Sequence, residues 1–208
     1  MSGQRFIVTG TDTDIGKTVF AAALSGALGA TYWKPVQAGF DVDGLGDSER
    51  VAQLAGVRTL PEAYRLTKPC SPHQAAAIDA VEIDAARVSL PRVVGPLVVE
   101  GAGGVLVPLT RDLLYAEVFA RWELPVVLVA RTALGTINHS LLSIEALRAR
   151  GISVHGIAFV GEANEETERT ICEMGDVRKL GRLPYLDPLN SEMLAAAFAE
   201  NFRLEDFA

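Results

Sequence analysis

The sequence predicts an α/β domain, a doubly wound and mostly parallel sheet with helices on both faces. Two observations carry this. Short runs rich in Val and Ile lack the apolar–polar alternation of a half-exposed strand, so they suit strands buried on both sides. Stretches with helical spacing lie between them, and strands alternating with helices make β-α-β units. A third observation makes the class more specific. A glycine-rich turn ending in Gly16-Lys17-Thr18 joins the first strand to the first helix, which places the domain among P-loop NTPase-like sheets.

The predicted strands are Arg5 to Thr9, Ala30 to Val36, Pro96 to Val99, Pro125 to Ala130 and Val154 to Val160, with a weaker one from Lys179 to Leu183. A helix is expected from Lys17 to Leu28 after the turn. Asp47 to Ala55 opens with an acidic capping residue, which suits the positive end of a helix dipole. Thr136 to Arg150 places Ile137, Leu141, Ile144 and Leu147 three and four apart and stops at Gly151. Glu165 to Met174 is a short polar helix with Asn164 as its cap and Gly175 as its end. Gly39 to Gly46 reads as a Gly/Asp loop, and Pro61 to Pro96 is irregular.

Length and charge set the bounds. The chain has 208 residues and shows no repeat or linker, so residues 1–208 read as one domain. Two cysteines, Cys70 and Cys172, exclude a disulfide-rich scaffold and suit free thiols. The net charge of −7 argues against nucleic acid or an anionic membrane as a partner. The longest uncharged stretch, Thr18 to Trp33, is too short and too polar to span a bilayer. The N-terminus lacks the shape of a signal peptide, so a cytoplasmic enzyme is expected.

The strongest chemical signal is Gly10-Thr-Asp-Thr-Asp-Ile-Gly16-Lys17-Thr18. Backbone N–H groups at such a turn converge with the helix dipole on one anion. Lys17 supplies a cation for phosphate, and Thr18 a hydroxyl for Mg²⁺. The usual first glycine falls on Thr11, so this is a variant loop.

A bound triphosphate needs acids for its metal, and Mg²⁺ commonly takes one or two carboxylates. Glu100 ends the apolar run before Gly101-Ala102-Gly103-Gly104, at the sheet edge where α/β ligands bind. Asp47 is the second candidate, with an N-cap as its alternative role. Lys34, held extended by Pro35, faces the same crevice and could neutralise a transferring phosphoryl group or an anionic nucleophile. His73 and His139 lie in no cluster with metal-ligand spacing, and Ser71 has no nucleophile elbow.

These segments together resemble the dethiobiotin synthetases, ATP-dependent enzymes of biotin synthesis. The matching pieces are the loop from Gly10 to Thr18, Lys34-Pro-Val36, Ser71-Pro-His73, Glu100 to Gly104, Leu134-Gly-Thr-Ile-Asn-His139 and, more loosely, Gly181 to Leu186. They follow the family's order over nearly the whole chain. The resemblance implies a homodimer that joins CO₂ to 7,8-diaminononanoate (7,8-diaminopelargonate) with MgATP, giving dethiobiotin, ADP and phosphate through a carbamate and a carbamic–phosphoric anhydride. It implies that Lys17 and Lys34 are catalytic. Asp14, Ile15, Gly16, Lys17, Thr18, Val19, Asp47, Glu100, Gly101, Ala102, Gly103, Pro184, Tyr185 and Leu186 would bind ATP. Thr13, Lys34, Ala38, Ser71, Gly103, Gly104 and Asn138 would touch substrate, Asn138 from the partner subunit. Thr18, Asp47 and Glu100 would hold Mg²⁺.

Two departures stand out. Ala38 replaces a hydroxyl residue, and Val160-Gly161 stands where many members carry an adenine-reading Asn. The main alternative is a P-loop ATPase switch of the partitioning or positioning type. Such switches carry an extra lysine at the loop start, where this chain has Asp12, and often a basic C-terminal helix, where this chain is acidic. A cobyrinate-type amide ligase would need a glutaminase domain that 208 residues cannot hold. A non-catalytic nucleotide module would not need Lys17, Thr18 and Glu100 together.

Overall fold

The computed structural model describes residues 4–208. In chain order the strands are β1 (Arg5–Gly10), β2 (Thr31–Trp33), β3 (Val36–Ala38), β4 (Thr59–Leu60), β5 (Tyr64–Leu66), β6 (Leu97–Gly104), β7 (Val126–Arg131), β8 (Val154–Val160) and β9 (Lys179–Leu183). The α-helices are α1 (Lys17–Leu28), α2 (Asp47–Ala55), α3 (Pro72–Ile78), α4 (Tyr115–Trp122), α5 (Thr136–Arg148), α6 (Glu165–Met174) and α7 (Ser191–Asn201). Seven strands form one sheet in the order β4-β2-β6-β1-β7-β8-β9, with every pairing parallel. The α/β reading is therefore correct.

The sheet is buried on both faces, as its unalternating strands require. One core joins Ile7, Val99 and Leu128 to Ala75 of α3, Phe119 of α4, Leu147 of α5 and Ile171 of α6. The other joins Val8, Val98 and Val127 to Phe20 and Leu24 of α1, Val51 of α2 and Phe198 of α7. Alternate residues of each strand thus serve opposite cores. Phe207 also reaches the second core and meets Phe6 edge-on, with ring centroids 5.8 Å apart.

The predicted strand Ala30 to Val36 divides in two. Proline at 35 offers no N–H to the ladder, so the chain leaves the main sheet after Trp33. It resumes as β3, which pairs in parallel with β5 to make a separate two-stranded sheet. Lys34 sits at the break.

Three further boundaries differ from expectation. β6 continues through Glu100 to Gly104, so Glu100 lies within a strand rather than at its exposed end. Gly46, not Asp47, is the N-cap of α2, and its N–H donates to Glu49 Oε2 at 2.9 Å. Asp47 is the first helical residue. α5 ends at Arg148, and Gly151 turns the chain at φ +68°. Asn164 caps α6 as expected, its side-chain oxygen accepting from the N–H of Thr167.

Helices α3, α4 and α7 were not anticipated. In α4, Tyr115, Val118, Phe119 and Trp122 occupy one buried stripe at spacings of three and four. Pro72 opens α3 at a position where a missing N–H costs nothing.

Candidate functional site

The loop after β1 turns at Gly16, whose φ of +90° suits glycine. It delivers Lys17 and Thr18 to the first turn of α1, where free N–H groups and the dipole favour an anion. Lys17 is buried, and its Nζ donates to the carbonyl of Asp12 at 2.5 Å. Burial, and then the nearby Lys34 charge, lower its pKa to about 8.

Beside this loop lies a knot of charge. Lys34 Nζ is 2.6 Å from Asp47 Oδ2 and 2.8 Å from Glu100 Oε1. It also donates to the carbonyl of Gly101 at 3.1 Å. Thr18 Oγ1 donates to Glu100 Oε1 at 2.9 Å, and Tyr32 OH donates to Glu100 Oε2 at 2.8 Å. Glu100 is 0% exposed and Lys34 is 4% exposed. The sheet builds this meeting by register. Thr31, Tyr32 and Trp33 pair with Leu97, Val98 and Val99, so the next step along both strands brings Lys34 to Glu100.

The electrostatics assign states. Burial alone lowers the Lys34 pKa, but Glu100 and Asp47 outweigh it and hold the ammonium well above the ordinary lysine range. Lys34 is thus a permanent cation rather than a base at neutral pH. Burial, reinforced by Glu100, pushes the Tyr32 phenol well above its ordinary value, so Tyr32 stays a neutral donor.

A cleft of about 680 Å³ opens over these groups. Among the predicted residues, Thr13, Asp14, Ile15, Gly16, Lys17, Thr18, Val19, Lys34, Ala38, Asp47, Ser71, Glu100, Ala102 and Gly103 line it. Thr13 faces Gly103, for a Cβ built on Gly103 would lie 3.5 Å from Thr13 Oγ1. Gly101, Gly104, Asn138, Pro184, Tyr185 and Leu186 do not line this cleft. Gly101 contributes its carbonyl to Lys34 from behind the wall. Gly104 packs against the carbonyl of Thr11. Asn138 is exposed on α5, away from this chain's cleft. Pro184, Tyr185 and Leu186 follow β9, beyond β7 and β8 from the phosphate loop.

Sequence reasoning missed Tyr32 and Gln37. Tyr32 reads as core packing, yet it lies two residues before Lys34 and so shares its strand face. Gln37 is buried, accepts from Asp47 N–H at 3.0 Å through Oε1 and donates to the carbonyl of Gly39 at 2.8 Å through Nε2. It fixes the start of α2 against the Gly39–Gly46 loop. No sequence motif marks it.

Thr18, Asp47 and Glu100 are hard oxygen donors of the kind Mg²⁺ takes, and all three line the cleft, with the Lys34 ammonium between the two carboxylates. Two carboxylates and a hydroxyl leave further positions for phosphate oxygens and water. The whole arrangement can hold a polyphosphate and stabilise charge transferred between it and a second anion.

A family model described as "AAA domain" matches residues 4–193. Among curated proteins, the ATP-dependent dethiobiotin synthetase BioD of Novosphingobium aromaticivorans is 66% identical over 206 residues, covering 98% of each chain. The protein of the same name from Rhodopseudomonas palustris (strain BisB18) is 61% identical, again covering 98% of each. The chain belongs to the dethiobiotin synthetase family. Solved structures more distant in sequence share the fold alone. A ParA family ATPase from Chlorobium tepidum aligns with TM-score 0.57 at 14% identity, over 94% of this chain and 89% of its own. Chloroplast FtsY from Physcomitrella patens aligns with TM-score 0.55 at 14% identity, over 95% of this chain and 65% of its own. Among the described residues no helix is long and apolar enough to cross a membrane.

In this member of the dethiobiotin synthetase family, Ala38 and Val160-Gly161 have the following surroundings. Ala38 lines the cleft beside Cys70 and Ser71, so Ser71 brings a hydroxyl to the same wall. A Cβ at position 161 would lie 2.5 Å from Thr132 Oγ1, and one at Gly16 would lie 2.8 Å from Val160 Cγ1, so Val160 packs on the phosphate loop.

Proposed function

We propose that this chain catalyses the MgATP-dependent closure of 7,8-diaminononanoate and CO₂ to dethiobiotin, as a cytoplasmic enzyme of biotin biosynthesis. The observation that carries this is Lys34. It is a buried, permanent cation contributed by a different strand from the phosphate loop, placed where an anionic acceptor would meet the γ-phosphate. A switch of the partitioning type would bring its second lysine from the start of the loop, where this chain has Asp12.

One amine of the substrate captures CO₂ as a carbamate and loses a proton. A carbamate oxygen then attacks the γ-phosphorus, and the bond to ADP breaks. The neighbouring amine attacks the carbamoyl carbon, closes the cyclic urea and expels phosphate. Lys17 and the N–H groups of the loop hold the phosphates. Lys34 neutralises the carbamate oxygen as it approaches a like-charged phosphoryl group, which would otherwise repel it. The backbone about Gly103, with Thr13 and Ser71, forms the wall against which the diamine is aligned. Thr18, Asp47 and Glu100 would hold Mg²⁺, which when bound neutralises phosphate charge. A homodimer in which Asn138 of one copy serves the cleft of the other belongs to the same proposal, as does an adenosine site at Pro184, Tyr185 and Leu186.

Phosphate release tests the reading. Purified protein with MgATP is expected to release phosphate only when diaminononanoate and bicarbonate are both present. Steady ATP turnover without the diamine would remove the ligase assignment and favour a switch.

Lys17 adds a pH test. Its pKa near 8 is depressed by burial, and a triphosphate favours its charged form. Binding above pH 8 must therefore take up a proton. ATP affinity should be flat below about pH 8 and weaken above it by up to about tenfold per unit, as the free lysine loses its charge. Calorimetric titration in buffers of different ionisation enthalpy would register the proton uptake. In Lys17→Arg the group stays charged, and the slope should vanish.

A further inference from the structure

Glu100 divides its work between its two carboxylate oxygens. Oε1 accepts from Thr18 Oγ1 at 2.9 Å and from Lys34 Nζ at 2.8 Å. It is the oxygen turned toward the phosphate loop and, across the Lys34 ammonium, toward Asp47. Among the described residues, Oε2 accepts from the Tyr32 hydroxyl alone, at 2.8 Å.

The phenol that holds Oε2 has no room to leave. Tyr32 is 0% exposed and belongs to the core that packs Phe20, Leu24 and Val98 together. It pairs with Thr59 on one side and Val98 on the other, so strands on both sides fix its backbone. Glu100 lies two residues beyond Val98 and therefore shares the sheet face to which Tyr32 points. Packing at this position asks only for an aromatic ring, and a phenylalanine would fill the same space. The hydroxyl makes one hydrogen bond, and Glu100 receives it.

A carboxylate with one oxygen tied to a phenol can offer a cation only the other. That restriction bears on which cation is taken. Ca²⁺ gathers about six to eight oxygens and readily uses both oxygens of a carboxylate, whereas Mg²⁺ is smaller and held to a tight octahedron. We propose that Tyr32 determines the choice of cation at this site. By holding Glu100 Oε2 it limits Glu100 to one-oxygen ligation, and the cleft therefore prefers Mg²⁺ to Ca²⁺. Tyr32 acts through Glu100, so it is a positioning residue. This inference rests on the MgATP-dependent reading above and assigns its metal specificity.

The test uses Mn²⁺ as a spin probe in the protein–ADP complex, displaced by Mg²⁺ or by Ca²⁺ and followed by electron paramagnetic resonance. In the wild type, half-displacement is expected to need at least about tenfold more Ca²⁺ than Mg²⁺. In Tyr32→Phe, which keeps the ring, Mg²⁺ should bind about tenfold more weakly while Ca²⁺ loses little, so the preference is lost. In dethiobiotin formation the same variant should need more Mg²⁺ for half-saturation, with kcat nearly kept. A hydrogen bond of purely structural value would lower the melting temperature and weaken both cations alike. An unchanged ratio of Mg²⁺ to Ca²⁺ affinity in Tyr32→Phe would therefore overturn the proposal. So would a wild type that binds the two cations equally, a measurement that needs no variant to fold. The stated shift in preference with no dethiobiotin formed by the wild type would sink the ligase reading while supporting this assignment.

Discussion

Replacing Lys34 with Met is expected to cut dethiobiotin formation by about 10³-fold or more and to destabilise the fold by about 3–5 kcal/mol. Both effects come from one knot. Lys34 Nζ lies within 2.8 Å of carboxylates from Asp47 and Glu100, and Glu100 has no contact with water. Removing the ammonium leaves a buried carboxylate balanced only by the hydroxyls of Thr18 and Tyr32. Such an unpaired charge costs more than the intact pair ever contributed. The two effects separate in a double variant. Lys34→Met with Glu100→Gln removes both charges, so much of the melting temperature should return while turnover does not. Full turnover in either variant would show that the cation has no part in the chemistry.

Lys17→Met gives the opposite pairing of effects. Turnover should again fall by about 10³-fold, because a charge on the phosphates is lost where water is excluded. Stability should rise. The lysine pKa is near 8 in the folded chain against 10.5 for the free group, so charging it in the fold is unfavourable. That penalty is full below about pH 8 and fades as pH climbs toward 10.5. It amounts to about 3 kcal/mol at neutral pH on the usual conversion. Thermal unfolding of Lys17→Met against wild type at pH 7 and at pH 10 checks this. A gain that is large at pH 7 and small at pH 10 is expected. A loss at both would mean that the contact of Lys17 Nζ with the Asp12 carbonyl outweighs the burial of its charge.

The pattern of what was legible follows from locality. β1, the glycine turn and α1 are neighbours in sequence, so their composition alone placed Lys17 and Thr18 on a helix start. Lys34 and Glu100 were each readable as sheet-edge residues next to Pro35 and a glycine run. Their 2.8 Å contact was not, because it depends on the register of β2 against β6. The same register hid Tyr32, whose hydroxyl looks idle until Glu100 is opposite it. Gln37 was invisible because it acts on backbone N–H and carbonyl groups ten and two residues away. Asp47 looked like a cap since Gly46 carries no side chain to announce itself. α4 was legible and overlooked, for Tyr115, Val118, Phe119 and Trp122 are spaced as a helix stripe.

The edge contact of Phe207 with Phe6 bears on how the chain can be handled. Phe6 is the second residue of β1, at the end of that strand away from the cleft, and Phe207, next to the last residue, packs against it. Start and finish of the described chain therefore meet at the far end of the molecule from Lys17 and Lys34. An affinity tag, a fused partner or a short linker welding the two ends lies outside the reach of the chemistry. A circularly permuted version reopened in the exposed turn after α5 would keep every strand that carries a site residue whole.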